Sequence, residues 1–438
     1  MDTVVDRSRL AALRSRVVGW TARKYLAWRS RRGLDPVTLL PDHALMPLRR
    51  DGLDPVAGLR EAREDAPVRH FPLPFGVTAW LITGHEEARA VLGRTRGLSN
   101  DFGHLVGQAG VTDGQNPGGL GFTDPPEHTR LRRLLTPEFT IRRLARLGPR
   151  ITEIVEGRLD AMTELAAAGE PVDLVRDFAT PIPSLTICEL LGIPYEERDE
   201  FQALSTARFD LFGGAGAVFD NISGSLQYLR GVVARQRVEP GEGLLGQLIR
   251  DHGDELGDDE LAELADGLLT GGLETSASML ALGAMVLLRD PESFALVRDE
   301  PGAVNGFVEE LLRYLTVVQI AFPRFATEDM TLGGVAISKG DGLLVSLSGA
   351  DRDPRLVDDP ERFDPRRPPT PHLAFGHGIH RCIGAELARM ELRTAYPALL
   401  RRFPELRLAP DAGTLDDQPF RTTSIVYGVD ALPVALGS

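Results

Sequence analysis

Apolar positions along the chain recur mostly at helical spacing. Ile151, Ile154, Val155, Leu159, Met162 and Leu165 form one stripe, and Gly169 follows as a C-cap, so the pattern predicts a helix ending there. Ile383, Leu387 and Met390 share a face, which starts another helix close to Cys382. Residues 267–288, "GLLTGGLETSASMLALGAMVLL", carry one charge, Glu274. That length could span a bilayer, but the acidic flank "DELGDDELAELAD" and the Gly, Ser and Thr content favour a helix through a large protein core. A carboxylate inside such a helix is either a proton carrier with a raised pKa or a structural glutamate capping a neighbouring backbone. Strand patterns are confined to 66–83, 331–347 and 424–436. The fold class expected is mainly α with small β-sheets (α+β).

At the N-terminus Leu10, Leu13, Val17 and Trp20 fall at helical spacing among Arg9, Arg14, Arg16 and Arg23. We read residues 1–44 as a basic amphipathic extension, docked on the body or frayed rather than lying on a membrane surface, and 45–438 as one domain. No apolar run there is long enough for a signal peptide or a span, which predicts a chain neither secreted nor anchored by this route. Residues 101–122 hold seven glycines and suit a mobile lid or a plain surface loop, and "GGAG" at 213–216 interrupts a Phe-rich helical region.

Composition narrows the function. A formal charge of −14 and a pI near 5.2 argue against nucleic acid as a partner. Cys188 and Cys382 are too few for a disulfide framework or a cysteine-built zinc cluster, which fits a reducing, cytoplasmic compartment. Cys188, in "SLTICELLGI", reads as a buried structural residue. Cys382 sits in "FGHGIHRCIG" (375–384), where Gly376 and Gly378 permit tight turns and Gly384 lets something flat approach the backbone. A thiolate there would be stabilised by the start of the helix. A structural cysteine, a nucleophile paired with His380 and an axial thiolate to haem iron all fit the spacing.

The segment resembles the cysteine-loop signature of the cytochrome P-450 family of haem-thiolate monooxygenases at Phe375, Gly376, Gly378, His380, Cys382, Gly384, Leu387, Ala388, Arg389 and Glu391. The resemblance implies a single triangular domain around haem b, iron protoporphyrin IX, with Cys382 as the metal ligand and Phe375, Gly376 and Gly384 against the cofactor. Other motifs agree. "EELLR" supplies the family's buried Glu310 and Arg313 pair, expected to lock onto Arg362 of "PERF", with Arg367 the other candidate. "GGLET" resembles the oxygen-activating acid–alcohol pair, which gives Glu274 and Thr275 that catalytic role. His128 and Arg132 in "PPEHTRLRR", Arg324 and His372 match the family's propionate contacts. Glu274 stands where bacterial relatives often have Asp, and Asp351 where they often have Asn.

The implied reaction divides dioxygen between an apolar substrate and water, with two electrons from a separate ferredoxin or flavodoxin and its NAD(P)H reductase. Hydroxylation or epoxidation of a specialised metabolite, macrolide, terpene, steroid or fatty acid is expected. Phe102, Leu105, Val106, Phe209, Leu211, Phe212, Gly271, Val318, Ile320 and Val429 fall in the family's pocket segments. Arg130, Arg133, Arg381 and Arg389 would form a basic docking patch for the electron donor. The rivals are a peroxide-driven peroxygenase, against which Glu274 and Thr275 speak, and a non-catalytic haem sensor.

Overall fold

The computed structural model describes residues 41–73, 78–101, 120–194, 197 and 215–437. The N-terminal stretch, most of the glycine-rich loop with Phe102, Leu105 and Val106, and Phe209, Leu211 and Phe212 lie outside these residues.

Helices used below are α1 (Glu127–Leu135), α2 (Gly148–Ala167), α3 (Pro181–Leu191), α4 (Ala215–Val238), α5 (Asp258–Arg289), α6 (Val304–Leu315) and α7 (Ala385–Arg402). In α2 the predicted stripe is the buried face. Gly169 adopts the left-handed conformation (φ +75°). The N–H groups of Gly169 and Glu170 then donate to the carbonyls of Ala166 (3.1 Å) and Leu165 (2.9 Å), which satisfies orphan acceptors of the last turn.

Helix α5 is the core's axis. Asp258, Asp259 and Glu260 occupy its first turn, where the helix dipole favours negative charge. Its most apolar stretch is long and hydrophobic enough to cross a membrane, yet 78% of that stretch is buried within the protein. Helices α3, α4, α6 and α7 cover it. Leu280, Leu282 and Leu287 have almost no exposure, and burial of each such side chain stabilises the fold by about 1.5–3 kcal/mol. Close approach to α7 is fitted by Gly283, where a Cβ would overlap the Tyr396 hydroxyl, and that hydroxyl donates to the Met279 carbonyl.

Sheets are small and lie outside this helical core. Strands β1 (Val68–Pro72), β2 (Thr78–Ile82), β3 (Leu98–Ser99), β5 (Arg324–Ala326) and β6 (Gly342–Val345) form one sheet in the order β1-β2-β6-β5-β3, antiparallel except for β2 against β6. A second sheet joins β4 (Val172–Asp173), β7 (Arg407–Leu408) and β8 (Pro433–Ala435) in the order β7-β8-β4. The expected strand at 424–436 is thus mostly irregular. Left-handed Thr423 (φ +67°) turns the chain, and the segment pairs only through the single bridges Val318–Val426 and Phe420–Val429 before β8.

A buried ion cluster ties α6 to the chain that leads to the cysteine loop. Arg313 donates from Nε and Nη2 to the two Glu310 carboxylate oxygens, each at 2.8 Å. Its Nη1 donates to the carbonyls of Asp351 (3.0 Å) and Pro360 (2.9 Å). The third partner is Arg367, not Arg362: Arg367 Nε donates to Glu310 Oε1 at 3.2 Å. Arg362 contributes only its carbonyl, which accepts from Arg313 and Arg367. The turn after left-handed Asp359 aims that carbonyl inward, and the Arg362 side chain is left exposed.

Removing Arg313 would strand the Glu310 carboxylate in the core. Arg313→Met should destabilise the protein by about 3–5 kcal/mol in denaturant unfolding, while Arg362→Ala should stay within about 0.5 kcal/mol. Equal losses in the two variants would contradict this assignment of partners.

Candidate functional site

The cysteine loop is shaped by two left-handed glycines. Gly376 (φ +66°) forms a turn in which its N–H donates to the Leu373 carbonyl at 2.7 Å. Gly378 (φ +75°) could bear no side chain, since a Cβ would lie 2.2 Å from the Leu92 carbonyl oxygen. Asp351 anchors the loop's entry: its carboxylate accepts from the Leu373 N–H (2.7 Å) and from the Thr316 hydroxyl (2.9 Å). Cys382 N–H donates to the Phe375 carbonyl at 2.9 Å, closing the loop just before α7 begins.

Cys382 is an exposed residue, yet its thiol is closely surrounded by the fold. Burial pushes its thiol pKa up. The Gly384 N–H and the guanidinium groups of Arg132, Arg381 and Arg389 pull the other way, toward thiolate. A Cβ at Gly384 would meet only that sulfur, at 4.0 Å, so the backbone there is open to close approach.

Near Cys382 stand basic groups with no acid to pair with among the described residues. His128 on α1 is buried, and neither ring nitrogen has a partner among the described residues. Its ring lies 4.1 Å from that of His380, whose Nδ1–H donates to the Leu120 carbonyl at 3.2 Å. Burial, reinforced by Arg324 and His128, lowers the His380 pKa to about 3, so this imidazole is neutral. Arg132 follows His128 by one turn and Arg324 begins β5. Neither has a carboxylate within ion-pair distance among the described residues. Arg324 is only 5% exposed, and its Nη1 donates to the Phe322 carbonyl at 2.7 Å. Burial lowers its pKa to about 10. Asp124 offsets this only in part, because it accepts from the Ser99 hydroxyl and the Asn100 N–H. A buried guanidinium such as that of Arg324 is costly without a counter-charge, and it suits an anionic ligand.

His372 does not join this cluster. Its Nε2 faces Glu309 Oε2 at 3.3 Å and its Nδ1 accepts from the Ala374 N–H. Glu309 also receives Arg389 at 2.6 and 2.8 Å. Burial pushes the Glu309 carboxyl up, but the hydrogen bonds from Arg389 and His372 outweigh it and hold the group well below the usual carboxylate range. A carboxylate at hand therefore draws His372 and Arg389 behind the loop, where the Arg389 guanidinium lies 4.6 Å over the Phe375 ring.

On α5, Thr275 Oγ1 donates to the Gly271 carbonyl one turn back (2.7 Å), and Gly271 has open space where a Cβ would point. Glu274 is buried and bound by a residue the sequence did not single out: its Oε1 accepts from Arg421 Nη1 at 2.5 Å. Burial raises the Glu274 pKa to about 7 against the pull of Arg421. Glu391, on α7, is a second buried acid, raised to about 8 by burial despite hydrogen bonds to Ser276 and Thr186.

Of the described pocket candidates, Gly271, Val318 and Ile320 keep some exposure. Val429 does not. It is 1% exposed and packs into the main core, drawn in by its bridge to Phe420. Phe322, 48% exposed and edge-to-face with Phe122 at 4.6 Å, is an aromatic position the sequence did not flag. Of the expected basic patch, Arg133 and Arg381 are exposed, whereas Arg130 is paired with Glu127 and Glu260, and Arg389 with Glu309.

Comparison with known proteins gives one answer. The family model described as Cytochrome P450 matches residues 242–423, which include α5, the Glu310–Arg313 pair and the cysteine loop. Cytochrome P450 165B3 of Amycolatopsis orientalis is 41% identical over 396 residues, 89% of this chain and 97% of that protein. Pentalenic acid synthase of Streptomyces avermitilis is 40% identical over 389 residues, 87% of this chain and 94% of that protein. The crystal structure of cytochrome P450 MoxA from Nonomuraea recticatena superposes with a TM-score of 0.83 at 39% identity, covering 93% of this chain and 99% of that one. Nearly full-length likeness in both sequence and backbone, on a chain that carries the cysteine loop and the buried Glu310–Arg313 pair, means that this protein belongs to the cytochrome P450 family of monooxygenases.

Proposed function

We propose that Cys382 gives its thiolate to the iron of a haem b whose propionates are held by Arg132, Arg324 and His128. The observation that carries this is that buried His128 and Arg324, with Arg132 one turn beyond His128 and close enough to Cys382 to act on its thiol, have no acid partner among the described residues. Bound there, the haem supplies activation of dioxygen: with two electrons and two protons, one oxygen atom enters the substrate and the other leaves as water. The protein's part is charge and proton control. Arg132 and the Gly384 N–H favour the thiolate of Cys382. Thr275 hands protons on from its place beside Glu274, and Glu274, with a pKa near neutrality, carries them inward.

The substrate is an apolar small molecule of specialised metabolism, resting against Gly271, Val318, Ile320 and Phe322. A curated relative named pentalenic acid synthase supports this class. Electrons come from a separate acidic ferredoxin or flavodoxin with its reductase, steered to Arg133 and Arg381 rather than to the neutralised Arg130 and Arg389.

The decisive measurement is the ferrous carbonyl spectrum. Cys382→His should lose the strongly red-shifted Soret band even where haem is retained, and persistence of that band would overturn the assignment. Thr275→Ala should consume reductant at an undiminished rate but yield hydrogen peroxide in place of product. If product per reductant stayed at the wild-type level, Thr275 would have no part in proton delivery. Reversing Arg133 to Glu should slow reduction by ferredoxin and flatten its salt dependence, because exposed charges act on encounter and are screened over about 8 Å at physiological salt. An unchanged rate and slope in stopped-flow reduction would place the donor elsewhere.

A further inference from the structure

Arg421 lies 147 residues beyond Glu274 in the chain, on the irregular C-terminal segment, yet its guanidinium reaches α5. Nη1 donates to Glu274 Oε1 at 2.5 Å and Nη2 to Ser278 Oγ at 3.0 Å, one turn further along the same helix. On the outer side, Arg421 Nε makes an ion-pair contact of 3.4 Å with Asp430, which stays exposed. The Arg421 N–H donates to the Gly428 carbonyl at 2.9 Å, so the two sides of the segment are joined behind the side chain.

Gly428 is the fitted part of this arrangement. Its backbone is not left-handed, so no strain demands glycine there. A Cβ would lie 2.1 Å from Arg421 Nη2 and 2.6 Å from Ser278 Oγ. Absence of a side chain at this position is what lets the guanidinium lie flat between the C-terminal segment and α5.

We propose that Arg421 is the positioning residue of the proton path, seated by Gly428 and Ser278 so that it fixes the orientation of the Glu274 carboxylate and sets how readily that group takes up a proton. This rests on the reading of Glu274 as the proton carrier. In the step concerned, the carboxylate takes a proton from solvent on one oxygen, becomes the neutral acid, and releases the same proton toward the Thr275 hydroxyl, while Arg421 stays charged throughout. Among the described residues, the charged groups facing Glu274 are Arg421, which lowers its pKa, and Asp430, which raises it. Glu391 of α7 meets the helix at Ser276 instead, and Asp266 accepts from Ser225 of α4. Burial and Arg421 therefore oppose one another and leave the acid near pH 7, able to exist in both forms. The same contact links the acid to the segment that bridges Val318 of the pocket through Val426.

The sign follows from the charge. Loss of the cation removes the force that favours carboxylate, so Glu274 should hold its proton to higher pH. The carboxylic C=O stretch, assigned by its disappearance in Glu274→Gln, can be titrated by difference infrared spectroscopy on the intact protein. Its midpoint should lie near 7 in the wild type and about one pH unit or more higher in Arg421→Ala. Gly428→Ala should do the same with the arginine retained, because the new methyl displaces the guanidinium, and Arg421→Lys should fall between. The alkaline limb of product formed per reductant consumed should move with that midpoint. A merely structural role would change thermal stability or haem content without moving either. Wild-type midpoints in Arg421→Ala and Gly428→Ala would overturn the proposal. If the midpoints move but Glu274→Gln keeps wild-type product per reductant, then the reading of Glu274 as the proton carrier fails and the placement of Arg421 stands.

Discussion

Arg313 has no exposure at all, and its contacts join its own helix to three other points of the chain. Two donors grip Glu310 on its own helix, and the rest reach the backbone at Asp351, Pro360 and Arg362. A guanidinium taken out of water must have all its donors met, so the chain from 351 to 367 can adopt only a path that brings those carbonyls inward. That path ends at Asp351 and Leu373, and from there the cysteine loop is hung. The position of Cys382 is thus inherited from an ion pair two elements away.

The protein treats its buried cations in two ways. Arg313, Arg352 and Arg389 each face a carboxylate, and Arg50 meets the Gln319 amide oxygen and the carbonyls of Leu53, Leu315 and Thr316. Arg324 and Arg132 have no such acid among the described residues, and His128 has no partner for either nitrogen. The difference supports the proposal that an anionic ligand supplies the missing charge.

Helix α5 brings these halves together. Nearly every face of it is apolar and covered, which makes it rigid and makes a charge within it expensive. Glu274 is subject to opposed effects, burial being the larger and Arg421 the smaller, which together raise its pKa to about 7. Burial alone would favour the neutral acid, and Arg421 alone the carboxylate.

Local chemistry was legible from sequence wherever partners are near in the chain or the backbone demands a residue type. The turns at Gly376 and Gly378, the helix end at Gly169, the i,i+3 pairing of Glu310 with Arg313 and the buried character of 267–288 all follow from spacing and conformational freedom. Identity of long-range partners did not follow. Arg362 and Arg367 are five residues apart, and only the turn at Asp359 decides which one sends in a side chain and which a carbonyl. His372 has the motif of an anion-binding cation, yet Glu309, 63 residues away in the chain, lies against it. Arg421 carried no local signal, because an arginine in an irregular segment reads the same whether it meets solvent or a buried acid. A sequence states what each residue can do within a few positions of itself; which distant charge it meets depends on how whole helices pack, since the strength of that meeting is set by burial and by distances that exist only once the chain is folded.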